Sequence, residues 1–133
     1  MTDLQKRILV AEDDTSLREM LVIVLQDEEY QVDSAVDGIE ALNLLNTNKY
    51  DLLATDLYMP KMNGYELILK CQQSFPETKI ILFSGGGKEI EAEHGNQMIK
   101  FLGKAVKVNM FLKKPCNLSE IIDAVENILG NAD

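Results

Sequence analysis

The chain has 133 residues, 46% of them apolar, and carries twenty-two acidic against thirteen basic side chains, a formal charge of −9. That length closes one hydrophobic core and leaves no room for a second, so residues 1–133 read as a single domain. The acidic balance without a basic tract argues against direct binding to a nucleic-acid backbone, and no run approaches the roughly 18 apolar residues of a membrane span.

In chain order, Ile8-Leu-Val-Ala11 is a short apolar run that predicts a buried first strand, ending at Glu12-Asp13-Asp14. Thr15 or Ser16 then caps a helix whose apolar face is Leu17, Met20, Leu21, Val24 and Leu25. Gln31-Val-Asp-Ser-Ala35 predicts a short second strand. Asp37-Gly-Ile starts a second helix with a face of Ile39, Leu42 and Leu45, fraying at Asn46-Thr-Asn48. Leu52-Leu-Ala-Thr55 is the third strand, and it presents Asp56 at its end, where Pro60 and Gly64 force an irregular loop. A third helix over residues 65–73 stops before Pro76, and Ile80-Ile-Leu-Phe83 is a fourth strand running into Ser84-Gly-Gly-Gly87.

Residues 85–107 are long for one loop and one helix. The spacing of Met98, Phe101, Leu102 and Ala105 predicts a helix near 97–106, preceded by a separately turned piece at 88–94. The three glycines lack the downstream Gly-Lys-Ser/Thr of a phosphate-binding loop and read as a flexible loop. Val108-Asn-Met-Phe-Leu112 is the fifth strand, ending at Lys113-Lys114-Pro115. The last helix has Leu118, Ile121, Ile122, Val125, Ile128 and Leu129 on one face, an Asn117 or Ser119 cap and Gly130 at its end. Alternation of this kind predicts an α/β fold in which a parallel sheet is covered by helices.

Parallel strands gather their C-terminal ends at one crevice, which is where such folds bind and react. That crevice would hold Glu12, Asp13, Asp56, Ser84 and Lys114. Crowded carboxylates cost free energy unless a cation sits among them, and an all-oxygen donor set suits magnesium, with manganese as a substitute. Asp13 and Asp56 are the expected direct ligands, the backbone carbonyl of Tyr58 a third, and Glu12 a ligand directly or through water. With a cation on one side and the Lys114 ammonium on the other, a phosphoryl group arriving at Asp56 finds its oxygens stabilised, and Ser84 can donate its hydroxyl proton to one of them. Cys71 and Cys116 have no metal spacing and read as buried free thiols, and His94 as an exposed or capping histidine outside the site.

Glu12-Asp13, Asp56 in Asp-Leu-Tyr-Met-Pro-Lys-Met-Asn-Gly64, Ser84 after Ile-Ile-Leu-Phe and Lys114-Pro115 together resemble the receiver domain of two-component response regulators, over residues 7–129. The resemblance implies a flavodoxin-like, doubly wound sheet of five parallel strands in the order 2-1-3-4-5 with five flanking helices. It also implies a phosphoprotein that takes a phosphoryl group on Asp56 from a histidine kinase or histidine phosphotransfer protein. Ser84 then moves toward the phosphate, Phe111 turns inward, and the surface of the fourth helix, fifth strand and fifth helix changes to regulate a downstream protein. The Lys114–Pro115 bond is expected to be cis. Such a protein is cytoplasmic, touches neither nucleic acid nor membrane, and is a monomer or a phosphorylation-dependent homodimer. It catalyses only its own phosphorylation and slow dephosphorylation.

The sequence departs from the pattern at named places. Phe111 has no hydroxyl, so only ring packing can report the state. The bulk of Tyr58, two residues past Asp56, predicts shielding of an acyl phosphate, with a shorter lifetime in Tyr58→Asn. Lys107-Val108 replaces the family's usual Gly-Ala, and residues 85–107 are longer than usual. Two alternatives use the same residues: a magnesium-dependent aspartyl-phosphate hydrolase, in which a second acid would stand where Tyr58 is, and a degenerate receiver serving only as an interaction module. A stand-alone receiver and a piece of a longer regulator both fit the sequence.

Overall fold

The structure is a computed structural model describing residues 5–85, 97–130 and the backbone of 90–91. Five parallel strands form the main sheet: β1 (Arg7–Ala11), β2 (Gln31–Ala35), β3 (Leu52–Asp56), β4 (Lys79–Ser84) and β8 (Met110–Lys113). Their order is β2-β1-β3-β4-β8, the expected 2-1-3-4-5 arrangement of main-sheet strands. The fifth strand begins two residues later than predicted. Among the described residues four helices accompany the sheet, where five were expected, namely α1 (Thr15–Asp27), α2 (Gly38–Thr47), α3 (Gly64–Ser74) and α4 (Leu118–Leu129).

Central strands buried on both faces need apolar residues at nearly every position, which is why they lack clear alternation in sequence. The alternation reappears in where each residue packs. Leu9, Leu53, Ile80, Leu82 and Phe111 face α2 and α3, while Ile8, Leu52, Ala54, Ile81 and Leu112 face α1 and α4. The connecting helices are capped from side chains. Asp14, rather than Thr15 or Ser16, caps α1 by accepting from the Leu17 amide at 2.9 Å. Asp37 and Asn63 do the same for α2 and α3, and Asn117 with Glu120 forms a reciprocal capping box on α4. Gly130 closes α4 with φ 62°, a left-handed value that glycine adopts without strain. In α2 the buried residues are Gly38, Ala41 and Leu45, and Ile39 lies exposed; Met20 of α1 is exposed too, so both predicted faces were rotated slightly.

The expected helix at 97–106 is instead a β-hairpin. β6 (Met98–Phe101) and β7 (Lys104–Lys107) pair antiparallel, and β5 (Ile90–Glu91) joins the other edge of β6. Side-chain burial explains the difference. Ile99, Phe101, Val106 and Val108 point into the core, whereas Met98 and Leu102, both counted in the helical stripe, are 47% and 64% exposed. The pattern therefore has period two, with β-branched and aromatic residues inward. Leu102 and Gly103 form the turn with φ 51° and 79°, the paired positive values that suit a two-residue hairpin. The hairpin packs beside α2 and α3 in the same layer, against Phe111. His94, Gly86, Gly87 and most of the piece predicted at 88–94 lie outside the described residues.

Candidate functional site

The parallel register brings four strand ends together. Ala11 stands opposite Thr55, Asp56 opposite Phe83, and Ser84 opposite Lys113. Residues one step beyond β1, at the end of β3, at the end of β4 and one step beyond β8 must therefore meet. Among the described residues, Glu12, Asp13 and Asp56 offer carboxylate oxygens that all lie within 4.8 Å of one another. The Lys114 ammonium lies 3.3 Å from Glu12 Oε1 and 3.4 Å from Asp56 Oδ1.

Burial makes this group unusual. Glu12 is 1% and Asp56 8% exposed, and Asp13 is open to solvent. Desolvation pushes the Glu12 and Asp56 carboxyls above the usual carboxylate range, with nearby negative charge adding to it; the amide of Asp14, which donates to Glu12, and Lys114 offset part of the rise. Burial alone would lower the Lys114 value, yet the carboxylates of Asp56 and Glu12 outweigh it and hold the ammonium above the ordinary lysine range. Among the described residues, Lys114 set against three carboxylates leaves negative charge in excess, and the donors are all oxygen. The residues present thus fit a hard divalent ion such as magnesium.

The loop after Asp56 is held tightly. The Leu57 amide donates to Asp56 Oδ1 at 2.9 Å and to the Phe83 carbonyl at 3.1 Å. The Gly64 amide donates to the Leu57 carbonyl at 2.7 Å, and a β-carbon at Gly64 would run into the backbone of Asp56. Glycine there is a packing requirement. Lys61, with φ 72°, ties the loop to α2 through Asp37 at 3.6 Å.

Ser84 is fully buried at the end of β4, and its carbonyl accepts from the Lys114 amide at 2.8 Å. Phe111 lies two rungs deeper, opposite Leu82, and is buried. Tyr58 is 44% exposed on the loop after β3, and the Lys114–Pro115 peptide is cis. Cys71 is buried and Cys116 half-buried, both free thiols; burial pushes the Cys71 thiol up to about 11. Arg18 escaped the sequence reading. Its guanidinium donates to the Glu12 carbonyl at 2.9 Å and to that of Asp13 at 3.4 Å, fixing the acidic turn from the first turns of α1. A basic residue six positions after Glu12, early in a helix that follows the turn, was the available signal.

With strand ends, acids and lysine so placed, the comparison with known sequences is decisive for the class. Residues 8–126 match the response regulator receiver domain family. The chain belongs to that family, the receiver domains of two-component response regulators, which are signalling domains. It is 31% identical over 124 residues to the response regulator receiver protein CpdR of Brucella abortus, covering 93% of this chain and 97% of that protein. Against CpxR of Escherichia coli it is 32% identical over 92% of its length, yet spans only 49% of that protein, and it spans 50% of the response regulator GtcR of Aneurinibacillus migulanus. Among solved structures, the response regulator TrrA of Thermotoga maritima, in complex with Mg2+-BeF, covers 93% of this chain and 99% of its own, with a TM-score of 0.77 and 29% identity. The chemotaxis response regulator CheY4 of Vibrio cholerae gives a TM-score of 0.78 at 26% identity, over 94% and 99% of the two chains.

Proposed function

We propose that this chain is a phosphorylation-driven switch that takes a phosphoryl group on Asp56 from a histidine kinase or histidine phosphotransfer protein in the cytoplasm. The observation that carries the reading is the Lys114 ammonium bridging Glu12 and Asp56 across a notch that Asp13 closes. An Asp56 carboxylate oxygen attacks phosphorus, the bond from phosphorus to the donor's imidazole nitrogen breaks, and the electron pair stays on the imidazole. Lys114 holds one phosphoryl oxygen by a charge-assisted hydrogen bond, and the Ser84 hydroxyl reaches another.

Asp13, Asp56 and the Tyr58 carbonyl would hold magnesium or manganese, with Glu12 joining directly or through water. Bound there, the ion supplies neutralisation of the negative charge on the phosphoryl oxygens. The uptake is self-catalysed, and Tyr58 beside the acceptor slows loss of the group. Phe111, on β8 and packed with the hairpin's inward side chains, reports the state through its ring. The surface that changes is the hairpin β6–β7 with β8 and α4, in place of a fourth-helix surface, and it regulates a downstream protein as a monomer or a phosphorylation-dependent homodimer.

The test is incubation with a small phosphodonor and magnesium, followed by intact mass. The expected result is the gain of one phosphoryl group, abolished in Asp56→Asn. Continuous release of inorganic phosphate without accumulation would instead mark a hydrolase, and no reaction a degenerate receiver.

A further inference from the structure

The hairpin meets the phosphoacceptor loop through an aromatic side chain. Phe101, at the end of β6 and almost fully buried, meets Tyr58 edge-on with ring centroids 6.1 Å apart and planes at 68°. It also meets Tyr65, in the first turn of α3, at 5.6 Å and 37°. Tyr58 lies in the loop that follows Asp56 and Tyr65 just past its end, and Gly64 and Leu57 pin that loop's backbone by a 2.7 Å hydrogen bond. With the backbone fixed, the orientation of the half-exposed Tyr58 ring is set by what it packs against.

We propose that Phe101 is a positioning residue that holds the Tyr58 ring at the rim of the phosphoacceptor site, so that the β6–β7 hairpin sets how fast water removes a phosphoryl group from Asp56. The inference rests on the reading of Asp56 as the acceptor. An edge-to-face aromatic pair favours one ring orientation by about two- to tenfold, enough to govern access to a small opening. The opening is small, since Asp56 itself is only 8% exposed. In the loss reaction a water oxygen forms a bond to phosphorus, and the bond from phosphorus to the Asp56 oxygen breaks. The electron pair returns to the carboxylate, and both water protons leave with inorganic phosphate. A ring held at the rim obstructs the water's line of approach; a ring free to swing does not.

The arrangement works in both directions. A partner seated on the hairpin that displaces Phe101 changes the lifetime of the phosphorylated state, and the phosphoryl group, by crowding Tyr58, biases the hairpin in turn.

The experiment loads the protein with a small phosphodonor and magnesium, removes the donor, and follows decay by intact mass. Tyr58→Asn and Phe101→Leu are each expected to shorten the half-life at least twofold. The double variant should decay no faster than the faster single one, and Phe101→Tyr, which keeps the ring, should restore the original lifetime. The Tyr58 ring-proton resonances should move in Phe101→Leu, a shift that mere loosening of a distant hairpin does not produce. Unchanged decay in Phe101→Leu, or effects that multiply in the double variant, would overturn the proposal. Should Phe101→Leu fail to fold, Phe101→Tyr and Tyr58→Asn still decide: an unchanged lifetime in Tyr58→Asn overturns it. Absence of phosphoryl uptake by the unmodified protein would sink the functional reading and this inference with it, whereas uptake with unaltered lifetimes would sink this inference alone.

Discussion

The two ends of the main sheet carry charged clusters of opposite character. At the N-terminal end, Arg7 pairs with Asp33 at 3.0 Å, stacks over the Tyr50 ring at 5.1 Å, and takes the Asp51 carboxylate on its own amide at 2.8 Å. The Tyr50 hydroxyl donates to the same Asp33 oxygen at 2.6 Å, and burial with the Asp33 charge pushes the phenol well above its ordinary value. Donors there meet acceptors, with Arg7 and Asp33 partly exposed over the buried Tyr50, which is how a structural clamp is built. At the C-terminal end, three carboxylates crowd together and Lys114 pairs with the buried two, Glu12 and Asp56, whose carboxyls hold their protons above the usual range. One cluster is complete without a ligand; the other invites a cation.

Substitutions at the two ends should therefore separate stability from chemistry. The largest effect is expected from Lys114→Met, which removes the ammonium beside Asp56. By analogy with loss of one charge-stabilising donor, the rate of phosphoryl uptake should fall about 10²- to 10³-fold, measured by intact mass against time. Uptake within a factor of ten of the original would show that the ammonium plays no part.

The pH dependence of stability should distinguish the ends next. Glu12 and Asp56 hold protons more tightly folded than unfolded, so their contribution favours folding below the ordinary values of 4.5 and 3.8 and is lost as pH rises through the raised ones. Without divalent ions, the urea midpoint should fall as pH rises from below 3.8 through those raised values. Magnesium at tenfold excess over its Kd should restore about 1.4 kcal/mol at neutral pH. A magnesium effect that persists undiminished in the Asp13→Asn, Asp56→Asn double variant would place the ion elsewhere.

Smaller still, Tyr50→Phe at the opposite end deletes one hydrogen bond to a partly exposed carboxylate. It should cost about 1 kcal/mol in urea unfolding and leave phosphoryl uptake unaltered. A matching loss of uptake would mean that the two clusters are coupled through the sheet. Arg18→Ala should weaken magnesium binding about tenfold by releasing the Glu12 and Asp13 carbonyls, since groups that orient ligands commonly contribute on that scale. Titration calorimetry checks it, and an unchanged affinity would reduce Arg18 to a capping contact.

The grouping of the candidate site was legible because its parts stand at strand ends, where each apolar run is followed by a chemically distinct residue: Glu12 and Asp13, Asp56, Ser84, Lys114. The parallel register does the rest, and it needs no information beyond strand and helix alternation. The hairpin was illegible for a local reason. Met98, Phe101, Leu102 and Ala105 fit a helical stripe, while Ile99, Phe101 and Val106 fit an alternating one, and only burial against Phe111 chooses between them. Leu102-Gly103 was the cue available, a dipeptide able to take two positive φ values only at the cost of an exposed leucine in a left-handed conformation. The α1 cap shifted by one residue because Asp14 competes with Thr15 and Ser16 for the same amides, and the carboxylate reaches Leu17.

The most direct test of the notch is phosphorus NMR of the protein with a small phosphodonor, with and without magnesium. An acyl-phosphate resonance should accumulate only when magnesium is present and vanish in Asp56→Asn. A resonance that forms equally well without the ion, or survives the Asp56 substitution, would contradict the account.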